Sequence, residues 1–329
     1  MAACGCDFTL VVTEDGGVRA WGLGDEGQLG LNSREHQLLP ARVGGREVFD
    51  ARIVLVAAGR FHAAGVAADG AIFTWGHGAQ GRLGHGDEER RTRPTRLGIH
   101  LFGGSRAVLV ACGECHTALL TAVGGVFTCG AGEYGVLGHG DDTNKLLLTQ
   151  GAVEHFVVGG KPIRIVMLAA GGEHSVAVGD EGGMWTWGAG ACLGHNDIED
   201  RHVPTPLALE ALGGAKPKIV AAGGFHSVAV LDDGSLWAWG LSINGELGLG
   251  LVQHVRVPTR VGAEDEFGGS RVLTAACGDA HTLAVTEAGA LWSCGKGADG
   301  ALGLNDIDNR RVPTRVDPQR FNNAKIVSA

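Results

Sequence analysis

The amino-acid sequence predicts an all-β protein, a β-propeller of six four-stranded blades that occupies residues 1–329 as a single domain. Three observations carry that expectation. One anchor, a glycine followed three residues later by a histidine or its substitute, recurs at nearly constant spacing along the whole chain. The apolar runs within each unit alternate with a period of two, as on strands, rather than 3.6. No stretch carries the long apolar stripe of an amphipathic helix; LALEALGG at 207–214 comes nearest and is too short to stand alone.

The repeat is read first, because it fixes the architecture. Its anchor glycines are Gly5, Gly59, Gly113, Gly171, Gly223 and Gly278, spaced by 54, 54, 58, 52 and 55 residues. The histidine stands at His62, His116, His174, His226 and His281, and Phe8 takes its place in the first unit. Buried imidazoles need partners, and backbone groups within each blade are the expected ones.

Each unit then follows one script. A second strand-like run ends in Trp-Gly or Cys-Gly, at Trp21, Trp75, Cys129, Trp187, Trp239 and Cys294. Between the two runs Asp15-Gly16, Asp69-Gly70 and Asp233-Gly234 signal tight hairpins, since glycine accepts the positive φ of the turn. Leu-Gly follows at Leu29, Leu83, Leu137, Leu193, Leu247 and Leu302, and ten residues later a proline stands in five units, with Leu148 in the third. About four short strands in some fifty residues is the pattern of a propeller blade. Large side chains at the Trp position are expected to fill the wedge between neighbouring blades, with about 150–250 Å² buried by each ring.

The chain ends NNAKIVSA, which aligns with the start of GGSRAVLVACG, and Ala3-Cys4-Gly5 supplies the continuation. The expectation is a last strand that pairs with the N-terminal blade and closes the ring, removing exposed edges. Seven blades is the alternative if a repeat is missing.

Composition excludes several classes. The formal charge is −9 with no basic block, so no nucleic-acid footprint is expected. The arginines at 90, 91, 93 and 96 lie beside Glu88 and Glu89, as in a solvated loop. No apolar run has the length of a membrane span, and MAACGCDFTLVV lacks the features of a secretory signal. Eight cysteines in 329 residues do not form a disulfide scaffold. An intracellular protein, cytoplasmic or nuclear, is expected.

Residues 112–116, CGECH, have the spacing of a haem attachment site. The repeat explains most of it: Cys112 aligns with Cys4 and Cys277, Gly113 is an anchor, and His116 is one of the five histidines. No second ligand pair for zinc appears, and the Gly-x-Gly-x-x-Gly runs at 22–27, 76–81, 130–135 and 295–300 lack the following helix of a dinucleotide site. No cofactor, metal or catalytic constellation is expected.

The string ACGxxHT…DG…WGxGxxGQLG…PTRV resembles the repeat of the regulator of chromosome condensation family, over nearly the whole chain. Well-known members of that family have seven blades, whereas six units are found here. Kelch units lack the Gly-x-x-His and Leu-Gly steps, and the Trp-Asp step of WD blades is absent. The two variable positions inside each Gly-x-x-His leave their strands at one end of the ring, near its axis. In a light-sensing plant member these slots carry Trp and Arg of a self-association face; no slot here holds Trp. Asp7, Arg60, Phe61, Glu114, Glu173, Phe225 and Asp279 are therefore the candidate partner-binding residues, with Phe61 and Phe225 as its apolar points. The resemblance implies a non-catalytic protein-interaction scaffold, standing alone or as one domain of a larger protein such as a ubiquitin ligase or trafficking factor. The second reading is guanine-nucleotide exchange on a Ran-type GTPase. That reading requires a protruding element, for which the 58-residue spacing after Gly113 leaves only a few extra residues.

Overall fold

A computed structural model describes residues 1–44, 48–151, 153–262 and 267–328. It is a six-bladed β-propeller in which each blade is an antiparallel meander of four consecutive strands. The second strands, which begin at the repeat's histidine or at Phe8, are Phe8–Val12, His62–Ala67, His116–Thr121, His174–Gly179, His226–Leu231 and His281–Thr286. Each third strand ends at the glycine of Trp-Gly or Cys-Gly, as in Ile72–Gly76 and Val126–Gly130. The first strands of successive blades, such as Ile53–Ala58, Ala107–Cys112 and Ile165–Ala170, touch one another and so line the axis.

Period-two alternation is satisfied on both faces, because the middle strands of an inner blade are covered from both sides. His116–Thr121 and Val126–Gly130 are buried throughout. Asp15, Asp69 and Asp233 each accept the backbone N–H two residues on, at 2.8–3.2 Å, and so build the hairpin turns expected at those positions. The extra length of the third unit forms a two-stranded ribbon, Val157–Val158 with Lys161–Pro162, between the third and fourth blades.

Adjacent blades interlock through a repeated set of contacts, and here the structure corrects the sequence reading. Four of the five histidines bond hydroxyls of the next blade rather than backbone of their own. His62 Nε2 lies 2.9 Å from Thr117 Oγ1, His116 Nε2 3.1 Å from Ser175 Oγ, His174 Nε2 2.7 Å from Ser227 Oγ and His226 Nε2 2.9 Å from Thr282 Oγ1. Each hydroxyl in turn donates to a carbonyl of the blade before it: Thr117 to Arg82, Ser175 to Val136, Ser227 to Cys192 and Thr282 to Glu246. With its proton committed, the hydroxyl must accept from the imidazole, so the neutral Nε2–H tautomer is selected. The Nδ1 atoms of His62, His116 and His174 are left buried without a partner, in accord with that tautomer.

The Trp position supplies a donor to the equivalent carbonyl of the blade before it. Trp75 Nε1 donates to Gln28 O at 2.9 Å and Trp187 Nε1 to Val136 O at 2.8 Å, both rings being fully buried. The Cys129 and Cys294 thiols point at Arg82 O and Glu246 O, each at 3.6 Å. Trp239, beside a fourth unit whose Trp-Gly to Leu-Gly segment is two residues shorter, is buried with its Nε1 unpaired. The anchor glycine is dictated by this packing: a Cβ on Gly113 would lie 2.3 Å from both Gly171 O and His116 Cε1.

The expected closure is not what forms. Residues 324–328 carry no strand, and the first blade already has its inner strand in Ala2–Cys4, which pairs with Phe8–Val12. Met1 and Ala2 thus hold the place that the alignment gave to the C-terminal residues. Ile326 N–H instead bonds Gly289 O of the sixth blade at 3.1 Å. Among the described residues the interlock is made at five interfaces, and none of its bonds joins the sixth blade to the first. Trp21 and His281 are accordingly only half-buried, unlike Trp75, Trp187, Trp239 and the other four histidines.

Candidate functional site

In a four-strand meander the ends alternate. The Gly-x-x-His loops and the long Trp-Gly…Leu-Gly loops therefore share one end of the propeller, and the hairpin turns and blade-to-blade connections share the other. All seven predicted partner-binding residues lie on the first end.

Three of them meet. Arg60 forms an ion pair with Glu114 of the next blade, and its Cζ lies 5.2 Å from the Phe61 ring centre. Phe61 packs edge-on to His77 with centroids 6.4 Å apart. His77 and Arg90 both approach Glu26 of the first blade, at 3.9 and 2.5 Å. Beneath them Arg82 is buried and donates to Ala79 O, Glu114 O and Gln80 Oε1. Burial pulls its pKa down from the ordinary arginine value. Residues from three blades form one polar network around an aromatic ring.

Glu173 lies elsewhere, on the fourth blade, in an acidic patch. Burial, then Glu133 and Asp200, raise its pKa. Tyr134, in the left-handed region at φ 59° and exposed, borders this patch, and the Glu173 charge holds its phenol pKa up. Phe225 stands on the fifth blade with 41% of its surface exposed. Asp279 abuts the backbone of Gly224, whose N–H bonds Asp279 O at 2.9 Å. Asp7 flanks Cys6, whose thiol pKa is raised by burial first and then by Asp7, with Asp279 adding to the rise and Arg60 opposing it.

The sequence reading missed Arg82, His77, Glu26 and Tyr134. All four belong to the loop after Trp-Gly or Cys-Gly, whose variable positions the repeat leaves open; Gln80, Tyr134 and Asp299 share one of these register positions and all take positive φ. The CGECH segment is divided between strand and loop. Cys112 lies in an inner strand with its thiol pKa pushed up to about 12 by burial, and His116 is committed to Ser175.

The comparison with known proteins follows this geometry. The family described as an RCC1-like domain matches residues 1–329. The chain belongs to that family. It is 35% identical over 269 residues to the Ultraviolet-B receptor UVR8 of Arabidopsis thaliana, covering 81% of this chain and 58% of that protein. It is 36% identical over 279 residues to the human E3 ubiquitin-protein ligase HERC2, covering 84% of this chain and 6% of that protein. The chain therefore spans just over half of the first of these relatives and a small part of the second. Among solved structures, Prp20p from Saccharomyces cerevisiae, described with its binding to Gsp1p and histones, superimposes with a TM-score of 0.83. That match has 24% identity and covers 98% of this chain and 78% of that one, which speaks to the RCC1-like fold alone.

Proposed function

We propose that the protein is a non-catalytic interaction scaffold that binds a protein partner on the Gly-x-x-His end of the propeller. The observation that carries this reading is the composition of that end. An Arg60–Phe61–Glu114 cluster joins two blades, an exposed Phe225 stands on the fifth blade, and an acidic patch with an exposed Tyr134 lies between them. Aromatic and arginine anchors with a polar surround are what protein interfaces favour. The buried histidines support a structural role for themselves, since each is tied to a hydroxyl of the next blade. All eight cysteines are free, which supports a reducing intracellular compartment, and among the described residues no helix is long and apolar enough to cross a membrane. The test is capture of partners by the wild type and by Phe61→Ala/Phe225→Ala. Capture that the double variant loses, with folding intact, supports the reading; capture that survives unchanged rejects this face.

A second reading, guanine-nucleotide exchange on a Ran-type GTPase, draws on the ribbon at 157–162. Val157 and Val158 are exposed on it, and the Gly159-Gly160 tip has both residues at positive φ. Exchange requires an element that can displace phosphate contacts, and this ribbon is the inserted hairpin available. It lies on the end opposite the aromatic cluster. Release of labelled GDP from a Ran-type GTPase, abolished by deleting 157–162, supports this reading; no acceleration by the wild type removes it.

A further inference from the structure

The loop after Leu-Gly carries the same ion pair in four units. Asp87 meets Arg91 at 2.8 Å, Asp141 meets Lys145 at 3.1 Å, Asp197 meets Arg201 at 2.6 Å and Asp306 meets Arg310 at 2.6 Å. Each acid also accepts the backbone N–H two residues on, at 2.9–3.0 Å. The first unit keeps polar residues there, Ser33 and Gln37. In the fifth unit both members of the pair turn apolar together, as Leu251 and Val255. The change is not one of core packing: Leu251 is 47% exposed, and its neighbour Val252 is exposed too.

The loop holds its shape without the ion pair. His254 Nε2 lies 2.7 Å from Ala191 O of the fourth blade, Ser242 Oγ donates to Leu251 O at 3.3 Å, and the Gly250 N–H bonds Arg311 O of the sixth blade at 2.8 Å. Between that loop and the sixth blade runs a groove of about 430 Å³, lined by Leu249, Leu251, Val255, Thr259 and Arg260 of the fifth blade and Val312 of the sixth. Its volume is at the lower end of the roughly 300–1,000 Å³ typical of binding clefts. Among the described residues its lining contains a cation and no carboxylate. Arg311, next to Val312, is exposed and enters no ion pair with another described residue. A basic rim stands out on a chain of formal charge −9. The groove lies on the outermost strand, where Val255 pairs with Gly240 and Thr259 with Ala238, and so is separate from the Gly-x-x-His face.

We propose that this rim groove is a docking site for an extended segment of a partner protein, one that carries large apolar side chains between acidic residues. The apolar side chains cover Leu251, Val255 and Val312, and the carboxylates meet Arg260 and Arg311. An aliphatic floor without converging polar groups suits a peptide side chain. Knobs of the same chemistry stand on this chain itself, since Ile198 and Ile307 are exposed between acids. Their acids are committed within their own loops: Asp197 to Arg201, Asp200 to the Gly190 N–H and Asp306 to Arg310. That favours a partner over a second copy.

The test is fluorescence anisotropy of the full chain with short labelled peptides whose cores are Leu-Leu, Leu-Phe or Phe-Phe, flanked by Glu and Asp or by Lys. At least one acid-flanked peptide should bind saturably, and its Lys-flanked counterpart should not. Leu251→Asp/Val255→Arg, which installs the ion pair of four other units, should weaken binding by about tenfold or more. Arg311→Glu should weaken it by a factor that shrinks as salt is raised. Phe61→Ala/Phe225→Ala should bind the peptide as the wild type does, so this result stands apart from the fate of the other face. If thermal unfolding shows Leu251→Asp/Val255→Arg to be misfolded, Leu251→Ser/Val255→Gln, the polar pair of the first unit, replaces it with the same expectation. Absence of saturable binding by every acid-flanked core overturns the proposal, as does equal binding of the Lys-flanked peptides or binding unchanged in the groove variant. Sedimentation decides the rival: a wild-type dimer that the groove variant disperses gives the groove to a second copy and also overturns the proposal.

Discussion

His62 Nε2 and Thr117 Oγ1 stand 2.9 Å apart although they belong to neighbouring blades and lie 55 residues apart in sequence. The bond is one rung of a ladder that fixes how blades pack and which histidine tautomer each blade uses. Thr117 also donates to Arg82 O at 2.7 Å, so Thr117→Val strands a buried imidazole and leaves that carbonyl only the weak Cys129 thiol. The expected loss is about 1–3 kcal/mol, read from denaturant or thermal midpoints.

The same ladder sets a pH dependence. His116 and His226 are depressed to about 4 and His174 to about 3, chiefly by burial, and His62 is held well below its ordinary value for the same reason. In the unfolded chain these imidazoles titrate near 6.5. Between about 6.5 and 4 the unfolded state therefore binds protons that the folded state refuses, and stability falls as pH falls. Each histidine contributes up to about 1.4 kcal/mol per pH unit in that window. Unfolding midpoints should be flat above pH 7 and drop steeply from pH 6 toward 4. Replacing His116 by Gln should make the slope shallower.

Gly30 and Gly303 occupy the same register position and share a φ of 70°, so alanine costs both the same backbone strain. That strain amounts to about 1–2 kcal/mol. Only Gly30 lies against the next blade's indole. Gly30→Ala should therefore cost roughly 2 kcal/mol more than Gly303→Ala, measured as the difference in unfolding free energy of the two variants.

Phe61 and Phe225 lie in loops outside the ladder. Phe61→Ala and Phe225→Ala should each leave the midpoint within about 1 kcal/mol of wild type, while jointly removing partner capture. Arg60→Glu should weaken the same capture by breaking the Arg60–Glu114 pair and placing two like charges together. Thermal midpoints beside pull-down yields check both statements.

The blades were legible because period-two runs, turn glycines and the Trp-Gly and Leu-Gly steps recur with little variation. The partners of the histidines were not, since a contact between blades joins positions some fifty residues apart. The clue was nonetheless printed in the chain. A hydroxyl follows the histidine in four units, as Thr117, Ser175, Ser227 and Thr282, and Ala63 replaces it in the second. That is the blade facing Phe8, the one unit without a histidine, so both halves of the rung turn apolar together. The two residues share one core cluster. The closure was misread for a similar reason: the C-terminal run resembles every inner strand, and sequence similarity alone does not say which blade it serves. The partner face was half legible, because the Gly-x-x-His slots announced Arg60 and Phe61, whereas Arg82 and Tyr134 come from a second loop that only the fold brings alongside.

Strand-resolved hydrogen exchange of the unmodified protein tests most directly the claim that five interfaces interlock and the sixth does not. Residues 8–12 of the first blade should exchange on the order of a hundredfold faster than 116–121 of the third, through local opening where the first and sixth blades meet. Equal protection of the two strands would mean that the first blade is locked on both sides, and would contradict the account.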